Sequence, residues 1–391
     1  MSGLGDRYRL ALLGFCVALT VALAATASAT SEDALAAVPF RMVNSRVVIP
    51  VSISGSPPLN FVFDNASGGT IVHSSAAASL NLGGATPVIV GEGASGLGEA
   101  QTFVGEAVAA PEGTVQIVDV QIVMGEATAV QMELDPADTA NLVVVSAGAM
   151  QVAEGDSVSA VHFVAGSSGV VVGGQSVVAQ LSVGGLVLDD VELATLPLAH
   201  LEMPTGEPID GIIGYDILKE FVVQVDYDTG VLLIFDRDTY VPAEGAAPHE
   251  VAFLLGNMAQ PCVSGEIALP NGDIVSGMFV LDAGAGADVV LNTPFVREQD
   301  LVSKLGAADS PTDSVSGVTP DESPVVRSTL PSFTFCGFSH DSVPVTLNLG
   351  TTGFLAGERY AGVIGNRILS RYNITYDYAG GVVYLEPVDG P

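Results

Sequence analysis

Gly214-Tyr-Asp-Ile-Leu-Lys-Glu-Phe-Val-Val-Gln-Val-Asp226-Tyr227-Asp-Thr-Gly230-Val231 recurs without a gap as Gly365-Asn-Arg-Ile-Leu-Ser-Arg-Tyr-Asn-Ile-Thr-Tyr-Asp377-Tyr378-Ala-Gly-Gly381-Val382. Gly, Ile-Leu, Asp-Tyr and Gly-Val keep the same spacing in both copies. Each copy is led in by a glycine and two apolar residues, Gly211-Ile212-Ile213 and Gly362-Val363-Ile364. A repeat of this length implies two lobes built to one plan.

A second pair of segments lies upstream of the first. Phe61-Val-Phe-Asp64-Asn-Ala-Ser-Gly68 matches Phe279-Val-Leu-Asp282-Ala-Gly-Ala-Gly286, so each half carries an acid where an apolar strand runs into a Gly-rich corner. Two carboxylates brought together by a pseudo-twofold axis cannot both ionise cheaply and share a proton, one serving as base toward water and the other as donor to a carbonyl. An Asp before glycines is also a common turn former. The matched pair, with the matched repeat downstream, is what singles out Asp64 and Asp282.

The 391 residues suffice for two cored domains, and 48% hydrophobic content with 45 glycines and no tryptophan suits short strands joined by tight turns. Alternation in Arg46-Val-Val-Ile-Pro-Val-Ser-Ile-Ser-Gly reads as a strand, as do the valine-rich pieces from Gly83 to about Leu196. Short helices are expected at Ser74 to Leu80, Tyr215 to Phe221 and Asn366 to Tyr372. Val241-Pro-Ala-Glu-Gly-Ala-Ala-Pro-His249 reads as the seam between lobes of residues 38–240 and 250–391. The interval from Asp64 to Gly214 is 67 residues longer than that from Asp282 to Gly365, which implies an insertion within Gly83 to Ser159.

Residues 1–29 have the form of a signal peptide: Arg7 and Arg9, an apolar run from Leu10 to Ala25, then Ala27-Ser28-Ala29. Cleavage there gives an exported protein, periplasmic or secreted, with no membrane segment left. The net charge of −32 becomes one unit more negative and repels nucleic acid and anionic membranes. Cys262 and Cys336, the two cysteines left, are either disulfide-bonded or two thiols in a core.

Metal and cofactor chemistry find no pattern. His73, His162, His200, His249 and His340 lack ligand spacing, and no Ser-centred nucleophile elbow accompanies them. Gly91-Glu-Gly93-Ala-Ser-Gly96 fits a dinucleotide loop but opens no amphipathic helix. Asp226-Tyr227 and Asp377-Tyr378 read as turn-forming acids and packed rings.

These motifs resemble the retropepsin-like and pepsin-like aspartic proteases, in a bacterial exported form with both lobes in one chain. The resemblance covers about residues 38–388. It implies an all-β, bilobal fold of two β-barrels with a cleft between them, Asp64 and Asp282 as catalytic dyad, no cofactor, a peptide or protein substrate, and a monomer with a complete site. It also implies that Gly91, Gly93 and Gly96 sit at the tip of a flap. In the family a Thr or Ser hydroxyl follows each Asp and cross-links the two active loops. Here the loops read Asn65-Ala66-Ser67 and Ala283-Gly284-Ala285; Asn65 can donate and accept such bonds, and Ala283 cannot. Ala66 also stands where a glycine would let backbone approach a carboxylate. The missing hydroxyl at Ala283 favours the alternative of a noncatalytic protein binding peptides or other extended ligands in its cleft. An acidic β-rich surface protein is a third reading, which leaves the paired Asp motifs as coincidence.

Overall fold

The computed structural model describes residues 30–82, 88–90, 103–110, 114–124, 128–131, 161–165, 171–196, 198–201, 203, 205–253, 260–308, 310–317, 322–351 and 354–388. The signal-like segment and the flap glycines Gly91, Gly93 and Gly96 lie outside these. No helix among the described residues is long and apolar enough to cross a membrane.

Two closed six-stranded barrels form the molecule. Following hydrogen-bonded neighbours, the first runs Arg46–Ile53, Leu59–Phe63, Gly211–Ile213, Ile71–His73, Leu186–Leu196 and Val171–Val183, and closes where Leu181 meets Ile53. The second runs Pro261–Ala268, Ile274–Asp282, Gly362–Gly365, Val289–Leu291, Phe338–Asn348 and Glu322–Phe335, and closes where Gly265 meets Phe335. Position by position the two rings agree. In each, the strand leading to the acid pairs in parallel with the Gly-apolar-apolar strand of the repeat.

Alternation decides which residues fill the barrels. Val47, Ile49, Val51 and Ile53 point inward with Phe61 and Phe63, and Phe279, Leu281, Phe333 and Phe335 fill the second barrel. Each fully buried aliphatic or aromatic side chain contributes about 1.5–3 kcal/mol. Gly211 is required by this packing, because a methyl there would overlap the Phe61 ring.

The repeat joins the barrels through a third, six-stranded sheet. Its order is Ala36–Pro39, Val231–Asp236, Phe221–Asp226, Tyr372–Asp377, Val382–Pro387 and Pro248–Glu250. At the centre, Phe221–Asp226 pairs antiparallel with Tyr372–Asp377, its own counterpart. Gln224 pairs with Thr375, the equivalent residue of the other copy, so the pseudo-twofold axis passes between them.

Elsewhere the expectations need adjustment. The helices of the repeat are single turns, Tyr215–Leu218 and Asn366–Leu369, because the residues from Phe221 and Tyr372 onward are strands of the joining sheet. The sequence reading passed over Thr293–Glu298 and Leu301–Lys304, although Asn292 before Thr293-Pro294 is an N-terminal helix signal. The Val241 to His249 seam ends in an edge strand, Pro248–Glu250, of the joining sheet. In the stretch read as an insertion, Phe103–Ala110, Thr114–Met124 and Thr128–Gln131 form a separate three-stranded sheet.

Of the two alternatives for the cysteines the structure has the thiols: Cys262 and Cys336 are both free. Antiparallel pairing of Gly265 with Phe335 sets Cys262 two residues beyond the level of Cys336. That is about 6–7 Å along the strand on top of the inter-strand gap of about 4.8 Å, more than a disulfide spans. Cys262 is fully buried and its thiol donates to the Gln260 carbonyl instead.

Candidate active site

Each acid is fixed by the barrel strand before it and by its own loop. The Asp64 N–H donates to the Ile213 carbonyl at 3.0 Å, continuing the parallel ladder of Leu59–Phe63. Its Oδ1 accepts from the N–H groups of Ala66 at 3.0 Å and Ser67 at 2.9 Å. Asp282 ends its strand opposite Gly365, and its Oδ1 accepts from Ala285 N–H at 2.8 Å.

The helices of the repeat hold these loops from behind. Tyr215 N–H donates to the Ser67 carbonyl at 2.8 Å, and Asn366 N–H to that of Ala285 at 2.7 Å, at equivalent places. A methyl on Gly214 would overlap the Gly69 carbonyl and one on Gly365 that of Ala287. These glycines of the repeat therefore let each helix start touch its active loop.

The loops are cross-linked from one side. Asn65 is fully buried; its Oδ1 accepts from Ala283 N–H at 2.7 Å and its Nδ2 donates to the Leu281 carbonyl at 2.9 Å. Ala283 is also fully buried and its methyl returns no such bond. Gly284 lies flat on the Asp64 carboxyl, where a methyl would overlap it, whereas its counterpart Ala66 carries a methyl packed with Cys262, Val280 and Val290.

Burial raises the pKa of both carboxyls. For Asp282 burial is the largest cause and the Asp64 charge the next, pushing it up to about 8. Asp64 is raised by burial, opposed by its bonds from Ala66 and Ser67 and by the Arg46 guanidinium. The two carboxyls interact, so their titration belongs to the pair.

In the sequence Tyr227 and Tyr378 read only as packed rings, and Asp216 and Arg46 carry no role in the site. The Tyr378 hydroxyl donates to the Asn65 carbonyl at 3.2 Å, while its counterpart Tyr227 donates to Asn366. Asp226 and Asp377 instead accept from the turns after them, Thr229 N–H at 2.9 Å and Gly380 N–H at 2.7 Å. Asp216 accepts from the Thr70 N–H and hydroxyl, at 2.9 and 2.7 Å. Arg46 donates from Nε to the Gly284 carbonyl at 2.7 Å, from the other lobe. A duplicated Tyr beside Asp signalled Tyr378; nothing local marked Arg46.

A cavity of about 890 Å³ opens above the two acids and is lined by both lobes. Arg46, Lys219, Arg327 and Arg367 line it, four of the chain's 12 basic residues. Three have acidic neighbours, Lys219 with Glu220, Arg327 with Asp313 and Arg367 with Asp288. Among the described residues no three His, Cys, Asp or Glu side chains converge as a metal set would.

No family model matches the chain, and no curated protein matches it. Among solved structures it is similar to the crystal structure of aspartic proteinase from Irpex lacteus, at 11% identity and a TM-score of 0.46, with 90% of this chain and 97% of that chain covered.

Proposed function

We propose that the chain is an aspartic-type endopeptidase that hydrolyses peptide bonds with a water activated by Asp64 and Asp282. One observation carries this reading: equivalent loops of two barrels set two half-buried carboxyls, both with raised pKa, at the floor of a cleft that both lobes line. With one proton between them, ionised Asp64 takes a proton from water while protonated Asp282 donates to the scissile carbonyl. Asp64 then gives that proton to the nitrogen while Asp282 takes one back from a hydroxyl of the tetrahedral carbon, and the C–N bond breaks to release the amine and the acid. Two barrels wall the cleft, which suits an extended peptide. Acidic to mildly acidic operation follows, because the pair must keep its proton. The same reading takes the protein to be exported and monomeric, with both aspartates supplied by one chain.

The second reading, a cleft that binds peptides without cleaving them, is favoured by the missing hydroxyl at Ala283. A peptide whose scissile carbonyl is replaced by a secondary alcohol separates the two. A peptidase binds this mimic at least about 100-fold more tightly than the parent peptide, and Asp64→Asn abolishes the preference. A noncatalytic binder holds the two peptides equally, before and after that substitution.

A further inference from the structure

Besides Asp64 and Asn65, a hairpin tip of the first lobe also touches the second-lobe active loop. Strands Arg41–Val43 and Arg46–Ile53 are joined by Asn44 and Ser45, both at positive φ, 48° and 60°, in a two-residue hairpin turn. Such a turn matches strand twist and leaves the tip little freedom. The tip lies against the other lobe. Arg46 Nε donates to the Gly284 carbonyl at 2.7 Å, and the Ser45 carbonyl accepts from Asn366 Nδ2 at 2.9 Å. Ser45 Oγ accepts from Arg367 Nε at 3.3 Å, and the Asn44 carbonyl lies so close to Gly286 that a methyl there would overlap it.

Two of these contacts fall on the second-lobe loop, whose Ala283 side chain sends no bond across, and two on the helix Asn366–Leu369 behind it. Gly284 is the residue that packs on the Asp64 carboxyl, so a shift of its peptide moves the surroundings of both acids. We propose that Arg46 is a positioning residue of the carboxylate pair, the tip Asn44–Arg46 holding from the first lobe the loop that Ala283 cannot tie from the second. The inference rests on the peptidase reading for its kinetic consequence, but not for its structural one.

Arg46 also supplies charge. Its guanidinium favours the ionised form of both Asp64 and Asp282 and opposes what burial does to them. Among the described residues the phenols of Tyr376, near Asp282, and Tyr378, near Asp64, also act on the pair, both raised far above the working range; Lys219 and Arg327 stand in the same cleft, each beside an acid. Asp216 and the Arg367–Asp288 pair line the same cleft. Losing Arg46 therefore moves the titration of the pair to higher pH.

The test follows the aspartate carboxyl carbons by NMR across pH 3 to 9 in the full chain, in wild type, R46M and R46K, beside peptide cleavage. In R46M the titration is expected to move up by about one unit, a tenfold change in proton affinity. Its kcat should fall about 10- to 100-fold, as expected for a misplaced reacting group, with KM nearly unchanged. R46K keeps the charge and should restore the titration, while kcat stays reduced because an ammonium does not reproduce the planar fork. Adding A283S to R46M should recover part of kcat. A superimposable titration in R46M, or a raised KM with unchanged kcat, overturns the proposal. If R46M does not fold, amide exchange in R46K decides: exchange at Ala285 N–H at least about tenfold faster than in wild type supports a loosened loop, and unchanged exchange overturns it. If wild type cleaves no peptide, titration and exchange still decide the role of Arg46, while the peptidase reading fails separately.

Discussion

The side chain of Asn65 clasps the backbone around Ala283 from both sides, accepting from Ala283 N–H at 2.7 Å and donating to the Leu281 carbonyl at 2.9 Å. One amide thereby makes the donor and acceptor contacts across the dyad axis that a Thr hydroxyl at that position would make. Asn65→Ala should leave a buried N–H and a buried carbonyl unserved and cost about 1–3 kcal/mol for each. Asn65→Thr should recover most of that loss. Urea denaturation of the three proteins measures both numbers, and equal midpoints would remove the cross-link from the account.

Asp282→Asn should stabilise the protein, and more so as pH rises. The folded pKa of Asp282 is raised, from an ordinary 3.8 to about 8, by burial and then by Asp64. In that window the folded state holds a proton that the unfolded state has lost, so wild-type stability is fully present below the unfolded value and falls as pH rises toward the folded one. The variant lacks this slope. Thermal denaturation from pH 4 to 8 should show its Tm advantage growing; a constant difference would mean that the pair is not strained by charge.

Gly284→Ala and Ala66→Gly occupy equivalent places and should behave oppositely. The first drives a methyl into the Asp64 carboxyl and should abolish cleavage while lowering stability. The second removes a methyl packed near Cys262 and Val280, which should cost about 1 kcal/mol and leave cleavage measurable. Comparable effects in the two variants would contradict the asymmetry of the loops.

Tyr378→Phe tests the support beneath Asn65. The phenol donates to the Asn65 carbonyl, and its loss should cost about 0.5–1.5 kcal/mol. Because the bond holds the residue next to Asp64, kcat should fall with KM unchanged. A change in KM alone would move Tyr378 from loop support to substrate binding.

The duplicated architecture was legible because the same constraint recurs in both halves. Gly214 and Gly365 each permit a helix start to touch an active loop, and Ile212-Ile213 and Val363-Ile364 each pair with the strand leading to an acid. Asp-Tyr was legible only in part: the acids do close turns, but the phenols reach Asn65 and Asn366, a consequence of how the joining sheet lies under the loops. Arg46 escaped because its partner Gly284 is 238 positions away, and the contact exists only once two barrels face each other. The thiol pair was open for the same reason, since strand register, not spacing, keeps Cys262 from Cys336. The glycines at 91, 93 and 96 lie outside the described residues, and their placement as a flap stays an expectation.

Peptide cleavage across pH 3 to 8, by wild type beside folded Asp64→Asn and Asp282→Asn, tests the central claim most directly. The dyad account expects wild-type cleavage on the acidic side and its loss, by about 1000-fold or more, when either carboxyl is removed. Undiminished cleavage in either variant, or none by wild type on a diverse peptide library, would contradict it.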